Sequence, residues 1–82
     1  MHYNELKIRV LALFKQEQEL DSLRIRELLA RGSTLSLTDK ALEMALMRYW
    51  RQGLLGRNRR GRLFQYSLTE RGAARLAWLR KQ

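Results

Sequence analysis

Apolar residues recur at helical spacing through the first fifty positions of this 82-residue chain, then switch to alternation near residue 60. Leu6, Val10, Leu13 and Phe14 share one face of a helix expected from about Asn4 to Glu17, with Asn4 as its N-cap and Glu5 at the positive end of its dipole. Ile8 and Leu11 fall on the opposite side, so this helix calls for two partners: the core, and either another helix or another subunit. A second, shorter helix is expected from about Ser22 to Arg31. Asp21 or Ser22 caps it, Ile25, Leu28 and Leu29 form its buried stripe, and Gly32 stands at C′. The segment STLSL (33–37) links it to a third helix that starts near Thr38, capped by Ser36 or Thr38, and ends before Gly53. Leu42, Ala45, Leu46 and Tyr49 occupy one face of that helix.

After Gly53 the period changes. Leu54 and Leu55 begin a strand, Gly56 to Gly61 reads as a basic turn, and Arg62 to Leu68 alternates, with Phe64, Tyr66 and Leu68 on one side. Thr69 then caps a last helix, about Glu70 to Lys81, with Ala73, Leu76 and Leu79 as its inner stripe and Trp78 roughly opposite Leu76. The expected architecture is α+β and mostly helical: a three-helix core, a β-hairpin and a C-terminal helix in one domain spanning residues 1–82.

Charge changes this picture by its location. Residues 1–47 carry seven basic and seven acidic side chains, whereas residues 48–82 carry ten basic ones against Glu70 alone. The whole net charge of +9 therefore resides in the C-terminal part, where it raises the local concentration of polyanions. Nucleic acid is the commonest such partner, followed by an anionic membrane surface or an acidic protein. With no cysteine, disulfides and thiolate chemistry are excluded. No apolar run is long enough to span a bilayer, and MHYNELKIRV mixes charges into its apolar residues unlike a signal peptide, so the expected location is cytoplasmic. The one histidine, His2, has no carboxylate at metal-ligand spacing, and no serine has a base in its sequence neighbourhood; no enzyme activity, cofactor or metal is expected.

The order helix, helix, helix, hairpin, helix brings a resemblance into view. ALMRYWRQGLL (Ala45–Leu55) resembles the end of a recognition helix running into the first wing strand of a winged helix-turn-helix domain. QYSLTERGAARL (Gln65–Leu76) is similar to the second wing strand and C-terminal helix cap of the same fold. The likeness covers nearly the whole chain and is closest to small prokaryotic regulators of the MarR, PadR and ArsR type. It implies a transcriptional regulator that binds double-stranded DNA, as a homodimer on a two-fold operator, with no membrane partner and no built-in small-molecule effector.

On that resemblance the third helix enters the major groove with Lys40, Met44, Met47 and Arg51 outward and Arg48 on one flank. Lysine bonds guanine O6 or N7, methionine packs on a thymine methyl, and Thr38 bonds a phosphate or base edge. Asp39 and Glu43 oppose phosphates there, which leaves open a solvated face of mixed charge or, given two outward methionines, a protein interface. Arg57, Arg59, Arg60 and Arg62 are expected at the hairpin tip, on phosphates or in the minor groove, with a solubility loop as the plain alternative. Trp78 is read as a dimer contact with Ile8 and Leu11, as core, or as a stacking surface; Trp50 stacks on the hairpin or edges the core. The rival functions are a protein-interaction module or subunit of a larger nucleic-acid-processing assembly, and a single-strand or RNA binder stacking bases on Trp50, Tyr66 or Trp78.

Overall fold

A computed structural model describes residues 5–15, 17–32 and 38–82, and in it the chain is α+β and mostly helical. The elements run α1 (Glu5–Ala12), a 3₁₀ turn (Leu13–Lys15), β1 (Leu20–Asp21), α2 (Ser22–Gly32), α3 (Asp39–Arg51), β2 (Leu55–Arg60), β3 (Leu63–Leu68) and α4 (Glu70–Arg80). The strands form one antiparallel sheet of order β1-β3-β2. Asn4, Ser36, His2 and the STLSL segment lie outside the described residues.

One core draws on every element. Val10, Leu11, Leu20, Ile25, Leu46, Leu54 and Leu55 are each at most 1% exposed, and Phe14, Leu42, Ala45, Tyr49, Tyr66 and Leu76 join them. Burying a Leu or Ile side chain stabilises by roughly 1.5–3 kcal/mol, so this cluster is what holds so short a chain together. The stripe of α3 is as the spacing predicts. Leu11 is not on a second, outer face: it is wholly buried, and Ile8 packs against the same core. Because α1 packs against both α4 and α2, its two apolar sides meet elements of this chain, and Leu11 is unavailable to a second subunit.

The first helix is shorter than the periodicity predicts, since the α-helix tightens to a 3₁₀ turn after Ala12. Asp21 caps α2: its Oδ1 accepts the Arg24 N–H at 2.8 Å. Gly32 is the last helical residue rather than the one beyond it. On α4 the inner stripe is Gly72, Leu76 and Leu79; Ala73 is exposed.

The hairpin corrects the sequence-based expectation most. GRNRRG is not a turn: β2 runs from Leu55 through Arg60, paired with β3 from Leu55↔Leu68 to Arg60↔Leu63, and only Gly61 and Arg62 connect the strands. Gly61 has φ +63 and Arg62 does not have positive φ, the pattern of a two-residue II′ turn. The arginines are strand residues because the facing strand gives their stems aromatic and aliphatic surface to lie on. β1 has no sequence signal, being two residues long; it pairs Leu20 with Tyr66 and Asp21 with Gln65.

A hydrogen-bonded corner joins hairpin to helix. The Thr69 hydroxyl donates to the Gly53 carbonyl at 2.6 Å, and its oxygen accepts the Gly72 N–H at 2.9 Å as the N-cap of α4. The Thr69 N–H donates to the Leu54 carbonyl at 3.2 Å. A Cβ at position 72 would stand 2.0 Å from the Leu54 oxygen, so only glycine permits this approach.

Candidate nucleic-acid interface

The exposed side of α3 and the hairpin flank a groove of about 190 Å³ whose walls include Glu43, Met47, Arg57, Arg62, Phe64 and Tyr66. Thr38 caps α3, its Oγ1 accepting the Ala41 N–H at 3.1 Å, so that oxygen already has a role in closing the helix. Lys40, Met44 and Met47 are exposed, as is Arg51. Asp39 forms an ion pair with Arg26 of α2, which offsets the negative charge at the start of this face. Glu43 remains as its one acid without an ion pair among the described residues.

Pairing register sorts the hairpin arginines onto two faces. Arg57 and Arg59 stand opposite Tyr66 and Phe64, while Arg60 stands opposite Leu63 on the other face. Arg57 is enclosed: its guanidinium lies 3.7 Å from the Trp50 ring centroid and 4.2 Å from that of Phe64. This sandwich ties α3 to the hairpin through a side chain expected at the tip. Trp50 thus stacks on the hairpin, through Arg57. Arg59 lies 5.5 Å from the Phe64 centroid and donates from Nε to the Gly61 carbonyl at 3.4 Å, remaining exposed. Arg60 reaches Glu19 at 3.7 Å, and Arg62 is exposed in the turn. The four arginines therefore do not form one cluster: Arg59 and Arg62 are the outward pair beside the groove, Arg57 is a brace, and Arg60 belongs to the opposite face.

The ion pairs explain where the net charge goes. Glu5, Glu17, Glu27 and Asp39 pair with Arg9, Arg24, Arg31 and Arg26, all within the first half of the chain. Glu17 and then Glu27 raise the pKa of Arg24. Only Arg60 of the C-terminal segment engages a carboxylate among the described residues. The rest of its cations present unneutralised positive charge.

Arg48 is on the other flank of α3. Its charge acts on Lys7 of α1, and it does not line the groove. Burial first, then Arg75 and Arg48, lower the pKa of Lys7 below its usual 10.5. Trp78 is 54% exposed, while its expected dimer companions Ile8 and Leu11 are packed into this chain's core. Stacking of Trp50 on the hairpin is one of the two alternatives the sequence offers, but spacing carries no signal that Arg57 and Phe64 complete the stack or that Arg48 and Arg75 act on Lys7, because these relations join residues from different elements.

Comparison with known proteins gives no significant match to a family model, a curated protein or a solved structure. No helix among the described residues is long and apolar enough to cross a membrane.

Proposed function

We propose that this chain is a double-stranded DNA-binding protein of the winged helix-turn-helix kind, acting as a transcriptional regulator. In this reading the exposed face of α3 enters the major groove, and Arg59 and Arg62 of the hairpin contact phosphates or the minor groove. The observation that carries it is the braced hairpin. Arg57, held between Trp50 and Phe64, keeps two arginines without a carboxylate partner beside the outward face of α3. Arginine suits this role because its planar fork donates two bonds to a phosphate at once. Lys40, Met44, Met47 and Arg51 supply the base-edge contacts, with Thr38 at the helix start. The protein acts by binding, without catalysis, and works as a homodimer on a two-fold operator. Selection of bound duplexes from a random pool tests this: enrichment of a palindrome supports it, and recovery of an unenriched pool contradicts sequence-specific regulation.

One observation favours a second reading, a protein-interaction module. Leu23 is 55% and Met44 52% exposed, and Leu23 lines a shallow cleft between α2 and α3 with Leu42 and Glu43. An exposed, adaptable methionine on α3 and an exposed leucine at the cleft suit a partner helix. Failure to shift any duplex at low salt favours this reading, because a domain of charge +9 with a DNA-binding face has non-specific affinity.

A further inference from the structure

The basic surface extends beyond the hairpin and α3. Arg71, Ala74, Arg75 and Trp78 recur at i, i+3, i+4 and i+7, so they form one outward stripe of α4. That stripe lines a groove of about 360 Å³. Lys7 of α1 holds its ammonium 5.6 Å from the Tyr49 ring centroid of α3, and the positive charges of Arg75 and Arg48 both act on it. Among the described residues none of Lys7, Arg48, Arg71 and Arg75 engages a carboxylate. Lys7 thus stays charged against partial burial and the repulsion of two like charges, with the Tyr49 ring as its stabilising contact among the described residues. An anion placed near it relieves both costs.

Two features say what kind of anion fits. The groove has an aromatic wall: Trp78 is 54% exposed, and the Arg75 guanidinium stands 5.7 Å from its ring centroid. Cations that follow a phosphate chain, next to a ring on which a base can lie, are the two parts of a single-strand binding surface. An acidic peptide would use the cations but has no need of the exposed indole face. A duplex would use the cations too, but its stacked bases cannot reach Trp78.

We propose that the α4 groove is a second nucleic-acid site that takes an unpaired nucleotide of a strand, with its phosphate on Arg71 and Arg75, Lys7 adding to the attracting field, and its base on Trp78. The site stands apart from the α3–hairpin groove and does not depend on the duplex reading. A chain with both sites holds a duplex and a single-stranded end or loop at once.

The test uses the full chain in a Trp50→Phe background, so that emission reports Trp78 alone. Short oligothymidylate is titrated at low salt. The expected result is saturable quenching that weakens roughly tenfold in Trp50→Phe/Arg75→Gln, where one cation no longer meets the phosphate. Lys7→Gln is expected to weaken it by less while still folding, because burial already disfavours a charge at that position. Replacing Arg59 and Arg62 by Ala should leave the quenching intact and, in the chain that keeps Trp50, should reduce duplex binding, which separates failure of this site from failure of the duplex reading. The proposal is overturned by unquenched Trp78, by equal quenching from a blunt duplex, by quenching that survives undiminished in the Lys7 and Arg75 variants, or by displacement of the oligonucleotide with polyglutamate at equal charge concentration.

Discussion

A methyl group added at Gly72 would stand 2.0 Å from the Leu54 carbonyl oxygen and 2.7 Å from Leu68 Cδ1. The first of these atoms is backbone and cannot swing away. Gly72→Ala is therefore expected to cost about 3 kcal/mol or more, at the upper end of overpacking effects. In a chain this size that lowers Tm by more than about 10 °C, which a calorimetric scan reads directly. Arg57 acts by shape as much as by charge. Arg57→Lys keeps the cation but removes the planar surface between Trp50 and Phe64, and should destabilise by about 1 kcal/mol in urea titration. An unchanged midpoint would mean the sandwich does not brace the hairpin. Lys7 sets a pH dependence. Its folded pKa lies below the 10.5 of the unfolded chain, so between those values the unfolded state binds more protons. Its contribution to stability accordingly rises with pH across that interval and is complete above it. Lys7→Gln should flatten that rise in denaturation curves recorded at successive pH values. The glycine requirement at 72 is visible in TERG only as a resemblance; the reason for it is a tertiary contact with Leu54.

Elements with a full period are legible in the sequence. The α3 stripe of Leu42, Ala45, Leu46 and Tyr49 is buried as its spacing requires, and Thr38 caps it. The Thr69 cap is equally local, a hydroxyl three residues from the N–H it accepts. Thr69→Ala should cost about 1 kcal/mol for the cap alone. It should cost more in practice, because the same hydroxyl donates to the Gly53 carbonyl; a fully reversible melt of the variant reads the total. Elements stabilised by their neighbours are not legible. β1 exists because β3 offers Leu20 and Asp21 a ladder, and two residues cannot show alternation. β2 reads as a turn because arginine and glycine dominate it, yet register with Phe64 and Tyr66 makes it a strand. Leu11 falls on an outer face of the helical wheel, and the packing of α4 and α2 around α1 makes it core. The site divides the same way. Exposure of Lys40, Met44, Met47 and Arg51 follows from the α3 wheel, whereas the separate fates of Arg57 and Arg60 depend on strand pairing.

Across the whole molecule, charge is segregated by pairing. The acids of the first half are mostly engaged by arginines of that half, so their effect on a distant polyanion is small. Surface pairs of this kind contribute only about 0–1 kcal/mol each to stability. Their consequence here is the field they leave behind: an uncompensated positive surface from α3 through the hairpin to α4. That field is also a reason for the chain not to self-associate without a bound polyanion. Sedimentation should accordingly show a monomer in the free protein at low salt and a two-to-one complex on a palindromic duplex. The measurement that tests the central claim most directly is duplex affinity as a function of salt, for the parent chain and for Arg59→Ala/Arg62→Ala. The double variant should bind every sequence more weakly. Its log–log salt slope should be flatter by roughly one unit for each phosphate left without its arginine, about two in all. Equal affinity and an equal slope in the two proteins would contradict the DNA-binding role of the hairpin.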